Sequence, residues 1–384
     1  MSTLDLVRSS TRFNSIPETS GTQKVGETLN LVALKLKAPL DHCVRHAVRC
    51  FTAIHPGELG NAESRYVEMA KRVGIFILCV GSSLIALPLW AIAVGVDISG
   101  DKLTKKAYTE LQGTPQGRPP LALGNIGRFF SLNANMLPKI PYLFGGTRPA
   151  DERISGLAGL INYRDVDFVV LQEVSFKSAR ALWSAGLCYH FEKAYTRIGP
   201  SPLTDFDTCL FIATKRPIIG EPVFIPLPSA DQFKRGIFYL ETERCYVMTT
   251  HLQSNDNKEM RRVQLDKVLE TIRKLEERGK PVVLLMDGNI NRIDDEYRRR
   301  IEPYFYDPYR GPYSQENATC TNELDHYMMG GEKPSKPFEW IDYVCTSKDS
   351  NALVKESRLV HAFDLSKPAQ AISDHNGFRT VIEF

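Results

Sequence analysis

Apolar positions fall into distinct patterns along this chain. From Val73 to Val96 it reads VGIFILCVGSSLIALPLWAIAVGV, 24 residues without a charge. A helix of about 20 apolar residues spans the hydrocarbon core of a bilayer, so this run predicts a membrane segment rather than a buried core helix. Gly81, Ser82, Ser83 and Pro88 interrupt it, which leaves a re-entrant hairpin open beside a single span. Upstream, residues 29–54 mix Leu29, Leu31, Leu34 and Leu36 with Lys35, Lys37, Arg45 and Arg49. That mixture suits an interfacial amphipathic segment or a solvated helix equally. The stretch GTPQGRPP, residues 113–120, cannot sit inside a helix or strand and predicts a linker.

Beyond the linker, short apolar runs alternate with helical spacing. Strands are predicted at Leu123–Asn135, Val166–Leu171, Cys209–Thr214, Ile237–Leu240, Tyr246–Thr250, Val282–Met286, Ile341–Cys345 and Phe378–Phe384. Ile154, Leu157, Ala158 and Ile161 follow helix spacing. Residues 258–277 predict an amphipathic helix with Leu265, Val268, Leu269, Ile272 and Leu275 on one face. Many short strands interspersed with helices predict a layered α/β domain with a sheet-on-sheet core. The expected organisation is a juxtamembrane region 1–72, a hydrophobic membrane segment 73–96, a linker 97–126 and a catalytic domain 127–384.

Composition narrows the partners. The 384 residues carry a formal net charge of +3, without the basic excess of a dedicated nucleic-acid binder, so nucleic acid is disfavoured as a partner. The eight cysteines are scattered, with no CxxC pair, and several lie in apolar runs where a reduced thiol behaves as a small hydrophobe. A reducing compartment is expected for the catalytic part. The first forty residues lack the apolar core of a secretory signal.

The chemistry-bearing side chains fall at predicted strand ends. Asn135 follows the first strand, Glu173 closes VDFVVLQE, and His251 closes YVMTTH. Asp287 and Asn289 close VVLLMDGN, Asp342 sits in WIDYV, and Asp374–His375 precede the last strand. Strand ends in layered α/β domains gather at one edge, so these residues can converge from distant positions. Carboxylate and amide oxygens are hard ligands of the kind magnesium prefers. Two histidines beside a metal can bind phosphate or move protons, and a neighbouring carboxylate can fix a tautomer. Singly, each residue has a plainer reading: an Asp-Xaa-Asn after a strand is usually a turn, and a lone histidine is usually structural. The ordered set is what points to phosphodiester hydrolysis.

The order Asn … LQE … THLQ … Asp-Xaa-Asn … IDY … SDH resembles the endonuclease/exonuclease/phosphatase superfamily from about residue 127 onward. Within it, Asn-Ala-Asn135-Met-Leu-Pro, Asp307-Pro-Tyr-Arg-Gly-Pro312 and Thr319-Cys-Thr-Asn-Glu-Leu324 resemble neutral sphingomyelinases that carry hydrophobic N-terminal segments. Asp231-Gln-Phe-Lys234-Arg235 resembles their regulatory switch loop, with Lys234 or Arg235 as the cation. The resemblance implies a four-layer α/β/β/α sandwich and a magnesium ion held chiefly by Glu173, with Asn135 nearby. It further implies that Asp287 and Asn289 position phosphate and water and that His251 and His375 contact the phosphate. Asp342 would orient His375, and Asp374 would shape the site. Departures from the family pattern are Met286 where a glycine is usual, Asp207-Thr208-Cys209 without the expected asparagine-glycine, and Asn376-Gly377 in place of proline.

The expectation is a membrane-associated, magnesium-dependent phosphodiesterase acting on a membrane lipid, with sphingomyelin first among substrates and activation by anionic lipid as a further implication. Alternatives are the same chemistry on another phospholipid, a phosphoinositide or nucleic acid, and an inactive membrane adaptor that keeps the fold.

Overall fold

Strand alternation builds the architecture. In the FVVL run of Phe168–Leu171, Val169 and Leu171 join one apolar core while Phe168 and Val170 join another. A strand apolar on both faces needs a layer on each side. The computed structural model describes residues 25, 28–33, 35–40, 43, 62–104, 106–115, 124–137, 150–199, 207–230, 233–254, 257–309, 312–321 and 338–384. Most of the region read as juxtamembrane, residues 116–123 of the linker, Asp231 of the switch-like loop and Asn322–Leu324 lie outside the described residues.

The chain divides into two units, residues 1–44 with 78–106 and residues 45–77 with 107–384. Helix α1, Ala62–Thr104, runs through the predicted membrane segment. Gly81, Ser82, Ser83 and Pro88 do not break it, so a re-entrant hairpin is not what this sequence forms. Its stretch Val80–Ser99, of mean hydropathy 1.7, is long and apolar enough to cross a membrane. In the first unit the helical residues 28–33 and 35–40 bury Asn30, Ala33 and Lys37. The Lys37 Nζ lies 2.9 Å from Asp97 Oδ2 on α1. Asn30, Ala33 and Lys37 thus form the most buried stripe, with Leu29, Leu31 and Leu36 half-buried.

The second unit carries two sheets. The first has strands in the order β1 (Thr109–Gln112), β4 (Lys193–Thr196), β5 (Phe211–Thr214), β3 (Phe168–Val174), β2 (Ile126–Met136), β15 (Gly377–Glu383) and β12 (Leu353–Val360). The second has β10 (Phe305–Tyr306), β11 (Asp342–Ser347), β9 (Val282–Asp287), β8 (Tyr246–His251), β7 (Arg235–Glu241) and β6 (Val223–Leu227). A two-stranded ribbon joins β13 (Phe363–Asp364) to β14 (Lys367–Ala371). Strand β1 lies inside the stretch 97–126 read as linker, yet pairs with β4 and extends the first sheet.

Three cores fill the spaces. Helices α2 (Ala150–Asn162) and α3 (Phe176–Ser184) cover the outer face of the first sheet through Leu157, Leu160, Ile161 and Leu182. Helix α4 (Lys258–Glu276), capped by Asn257 accepting from Met260 N, covers the second sheet through Leu265, Val268, Leu269 and Ile272. Between the sheets lie Phe129, Phe168, Val170, Phe238, Val247, Val283, Leu285 and Phe378. These are the four layers α/β/β/α. Fully burying one such leucine or phenylalanine contributes about 1.5–3 kcal/mol.

Candidate active site

The second sheet delivers its polar residues by simple register. His251 stands opposite Asp287 in the parallel pair β8–β9, and Asp287 stands opposite Asp342 in the antiparallel pair β9–β11. The three form one row across three neighbouring strands. They share parity with Val247, Thr249, Val283, Leu285 and Val344, the residues that face the other sheet. Alternation therefore aims all three into the mouth between the sheets. Met286, in the usual glycine position, is buried in the outer core and leaves this row intact.

The other sheet reaches the same mouth by irregularity. Between β2 and β3 the ladder shifts after Asn133, which pairs with Gln172, and resumes with Met136 opposite Val174. Asn135 and Glu173 lie in that bulge with φ of +46° and +57°. Bulges re-aim side chains beside active sites, and a left-handed conformation in a residue other than glycine costs about 1–3 kcal/mol that surrounding contacts must offset. By parity Glu173 would face the outer core with Val169 and Leu171; instead its Oε1 lies 4.0 Å from His251 Nε2. Asn289, at +48°, completes the set of left-handed site residues, its backbone N–H donating to Asp287 Oδ1 at 3.0 Å and its Nδ2 to Leu252 O at 3.1 Å. Cys209 also takes positive φ, +52°, in the stretch lacking asparagine-glycine, where the Asp207 side chain accepts from its N–H.

Other contacts close the site. Asn133 Nδ2 donates to Asp287 Oδ2 at 2.8 Å, and His251 Nε2 lies 3.5 Å from the same oxygen. His375 Nδ1 pairs with Asp342 Oδ2 at 2.8 Å, which leaves Nε2 as the ring's other polar atom. Thr319 Oγ1 accepts from the backbone N–H of Ile341 and Asp342. Cys320 bridges Glu339 on one side and His375 on the other. Asn376 donates through Nδ2 to Ala318 O and accepts from Ala362 N, while a side chain at Gly377 would meet Ser131 O at 2.7 Å. Asn376 also donates its backbone N–H to Thr319 O at 2.6 Å, a bond that a proline there could not make.

Glu173, Asn135, His251, Asp287, Asn289, Asp342, Asp374 and His375 are thus brought to one sheet edge. Of the two cations, Lys234 is exposed, whereas Arg235 is buried and its Nη1 lies 3.4 Å from His251 O. Sequence reasoning missed Asn133, whose side chain bonds Asp287. The signal was present: in Asn-Ala-Asn, residues 133 and 135 share strand parity.

Electrostatics separates the two histidines. Burial, then the charge of Arg235 and of His375, holds His251 well below the usual imidazole value. For His375 burial acts in the same direction, but Asp342 and then Cys320 outweigh it and carry the ring well above that value. Glu173 is raised by desolvation and then by Asp374, and Asp287 by desolvation and then by Asp342. Glu173, His251 and Asp287 offer ligand atoms all within 4.8 Å of one another, as do Asp287, Asp342 and His375. Asp342 Oδ1 is buried without a hydrogen-bond partner among the described residues. Carboxylates pressed together, with burial opposing their ionised forms, are a donor set that fits a hard divalent cation.

No protein-family model matches the chain, and no curated protein matches it. Solved structures do. A structure of TDP2 from D. rerio complexed with single-strand DNA product superposes with a TM-score of 0.51 at 17% identity, over 67% of this chain and 99% of that one. The chain has the endonuclease/exonuclease/phosphatase fold. A beta toxin mutant from Staphylococcus aureus with bound magnesium ions gives a TM-score of 0.50 at 18% identity, over 66% of this chain and 98% of that one. A humanized D. rerio TDP2 gives 0.50 at 16%, over 68% and 100%.

Proposed function

We propose that this chain is a magnesium-dependent phosphodiesterase acting on a membrane lipid, with sphingomyelin, cleaved to ceramide and phosphocholine, as the substrate. The observation that carries the chemistry is the convergence of Glu173, Asp287 and Asp342 at one sheet edge with two histidines, His251 beside Asp287 and His375 paired with Asp342. Glu173, Asn135 and Asp287 would hold the cation. A magnesium ion held there would lower the pKa of water and offset charge on the phosphate. His375, fixed by Asp342 through Nδ1, would offer Nε2 to a phosphate or leaving-group oxygen. His251, beside Glu173 and Asp287, is the imidazole that would take up a proton. Asn289 and Asn133 offer amides for orientation. Water adds to phosphorus, the P–O bond to the lipid alcohol breaks, and that oxygen leaves protonated.

Support for a lipid comes from the apolar helix Val80–Ser99 and the near-neutral charge of +3. A helix that holds the enzyme at a bilayer raises the effective concentration of a substrate confined there. Basic residues beside that helix suit activation by anionic lipid, and Arg235 is the better of the two cations for a switch that acts on the site. A second reading, nucleic acid, is favoured by one observation: a TDP2 of the same fold holds a single-strand DNA product.

The test is phosphocholine release from sphingomyelin in mixed micelles, with magnesium and with chelator, for the wild type and His375→Ala. Magnesium-dependent release that the substitution abolishes supports the reading. A folded preparation that releases no phosphocholine but cleaves single-stranded DNA or a phosphoinositide overturns it in favour of that substrate.

A further inference from the structure

Arg153 is among the largest fully buried side chains, with 1% of its surface exposed. It lies in the first turn of α2, in the polar run Ala-Asp-Glu-Arg, where a helix surface would ordinarily be solvated. A buried charge is costly unless it is hydrogen-bonded, so the destination of this guanidinium is informative. Nη1 donates to Ala134 O at 3.0 Å and also to Ile372 O; Nη2 donates to Asn135 O.

These acceptors belong to two segments that are far apart in sequence and each irregular. One is the bulged end of β2, where Asn135 is left-handed and the ladder to β3 has slipped. The other leads from β14 into Asp374–His375. Ser373 reinforces the junction: its Oγ donates to Asn133 O at 2.5 Å and accepts from His375 N at 3.1 Å. The carbonyls of Asn133, Ala134 and Asn135 are thus all engaged by Ser373 or Arg153.

We infer that Arg153 is a positioning residue, which sets the metal-binding geometry by clamping the bulge that carries Asn135 to the loop that carries Asp374 and His375. The planar fork can serve carbonyls on both segments at once, which a lysine ammonium on a flexible stem cannot reproduce. Outer contacts that orient a metal's ligands typically change its affinity by about ten- to a hundredfold when removed. The inference rests on the metal-dependent reading of the site.

The experiment is a titration of the full chain, in detergent micelles, with Mn²⁺ alone, followed by electron paramagnetic resonance. The variants are Arg153→Lys, Arg153→Met and Leu157→Ala, the last a truncation of a buried core residue on the same helix. Arg153→Lys is expected to bind Mn²⁺ about ten- to a hundredfold more weakly, while Leu157→Ala, though less stable, binds it within about threefold of the wild type. Equal losses in Arg153→Lys and Leu157→Ala, or no loss in Arg153→Lys, overturn the inference and leave the metal reading standing. A folded wild type that binds no Mn²⁺ overturns both. Should neither Arg153 variant fold, hydrogen exchange in the wild type decides. Mn²⁺ must then slow exchange in residues 133–136 and 372–375 together, and slowing in the first segment alone overturns the clamp.

Discussion

The two sheets meet at one site but supply it differently. In the second sheet, His251, Asp287 and Asp342 occupy a single row of regular pairing, and nothing in their backbones departs from strand geometry. In the first sheet, Asn135 and Glu173 reach the same mouth only through a bulge with two left-handed residues. Regular register aims side chains at no extra conformational cost, since the hydrophobic alternation that forms the core also forms the row. Irregular backbone needs contacts outside the ladder, which here come from Arg153 and Ser373. The irregular half also carries Glu173, the ligand expected to bind magnesium chiefly.

That contrast predicts unequal consequences. The largest is expected for Glu173→Gln, which keeps the shape of the side chain and removes its charge. Phosphodiester hydrolysis should fall roughly a thousandfold, in line with losing a principal electrostatic group. The magnesium-induced rise in melting temperature should disappear with it. Retention of that rise would move the principal ligand into the regular row.

Asp342→Asn comes next. It leaves the row in place and takes the negative charge from beside His375. Activity should fall about a hundredfold, and the His375 ring, followed by proton NMR, should titrate at lower pH than in the wild type. A thousandfold loss with an unmoved titration would show Asp342 acting on the cation rather than on the imidazole.

The pH dependence of metal binding tests both halves together. Glu173 and Asp287 are raised in the fold, so their protonated forms are favoured at low pH and their ionisation becomes a growing liability as pH rises through the folded values. Magnesium competes with those protons. The stabilisation it gives should therefore grow from pH 6 to pH 8, by about 1.4 kcal/mol for each proton fully displaced per pH unit. Calorimetric melting with and without magnesium measures it, and a flat profile would show that the carboxylates are already ionised in the metal-free protein. The smallest effect is expected from Lys234→Ala: this side chain is exposed, and kcat on mixed micelles should change less than twofold. A large loss there would return the switch-like role to Lys234 from Arg235.

The central strands were legible because apolar runs buried on both faces have few other uses. Val282–Met286, Tyr246–Thr250 and Val166–Leu171 lie within one to three residues of the observed elements. The strands that escaped notice include β1, β6, β10 and β12, all at sheet edges. In β12, Leu-Val-Lys-Glu-Ser-Arg-Leu-Val is half polar and its middle is charged, because an edge strand is covered less completely. Asn133 and Arg153 escaped for a different reason. Each looks ordinary in sequence, one as a polar residue in a strand and the other as part of a charged helix start.

By itself the sequence determined the layered α/β class, the long apolar helix and the polar residues that close the core strands, because hydrophobic periodicity and strand-end chemistry are local properties. Only the tertiary structure decided that His251, Asp287 and Asp342 share one row, that Glu173 turns against its own parity, and that Asp287 stands beside His251 while Asp342 pairs with His375. Register, bulges and burial arise from pairing between segments far apart in the chain. The same residue types therefore acquire different surroundings according to what the fold places beside them.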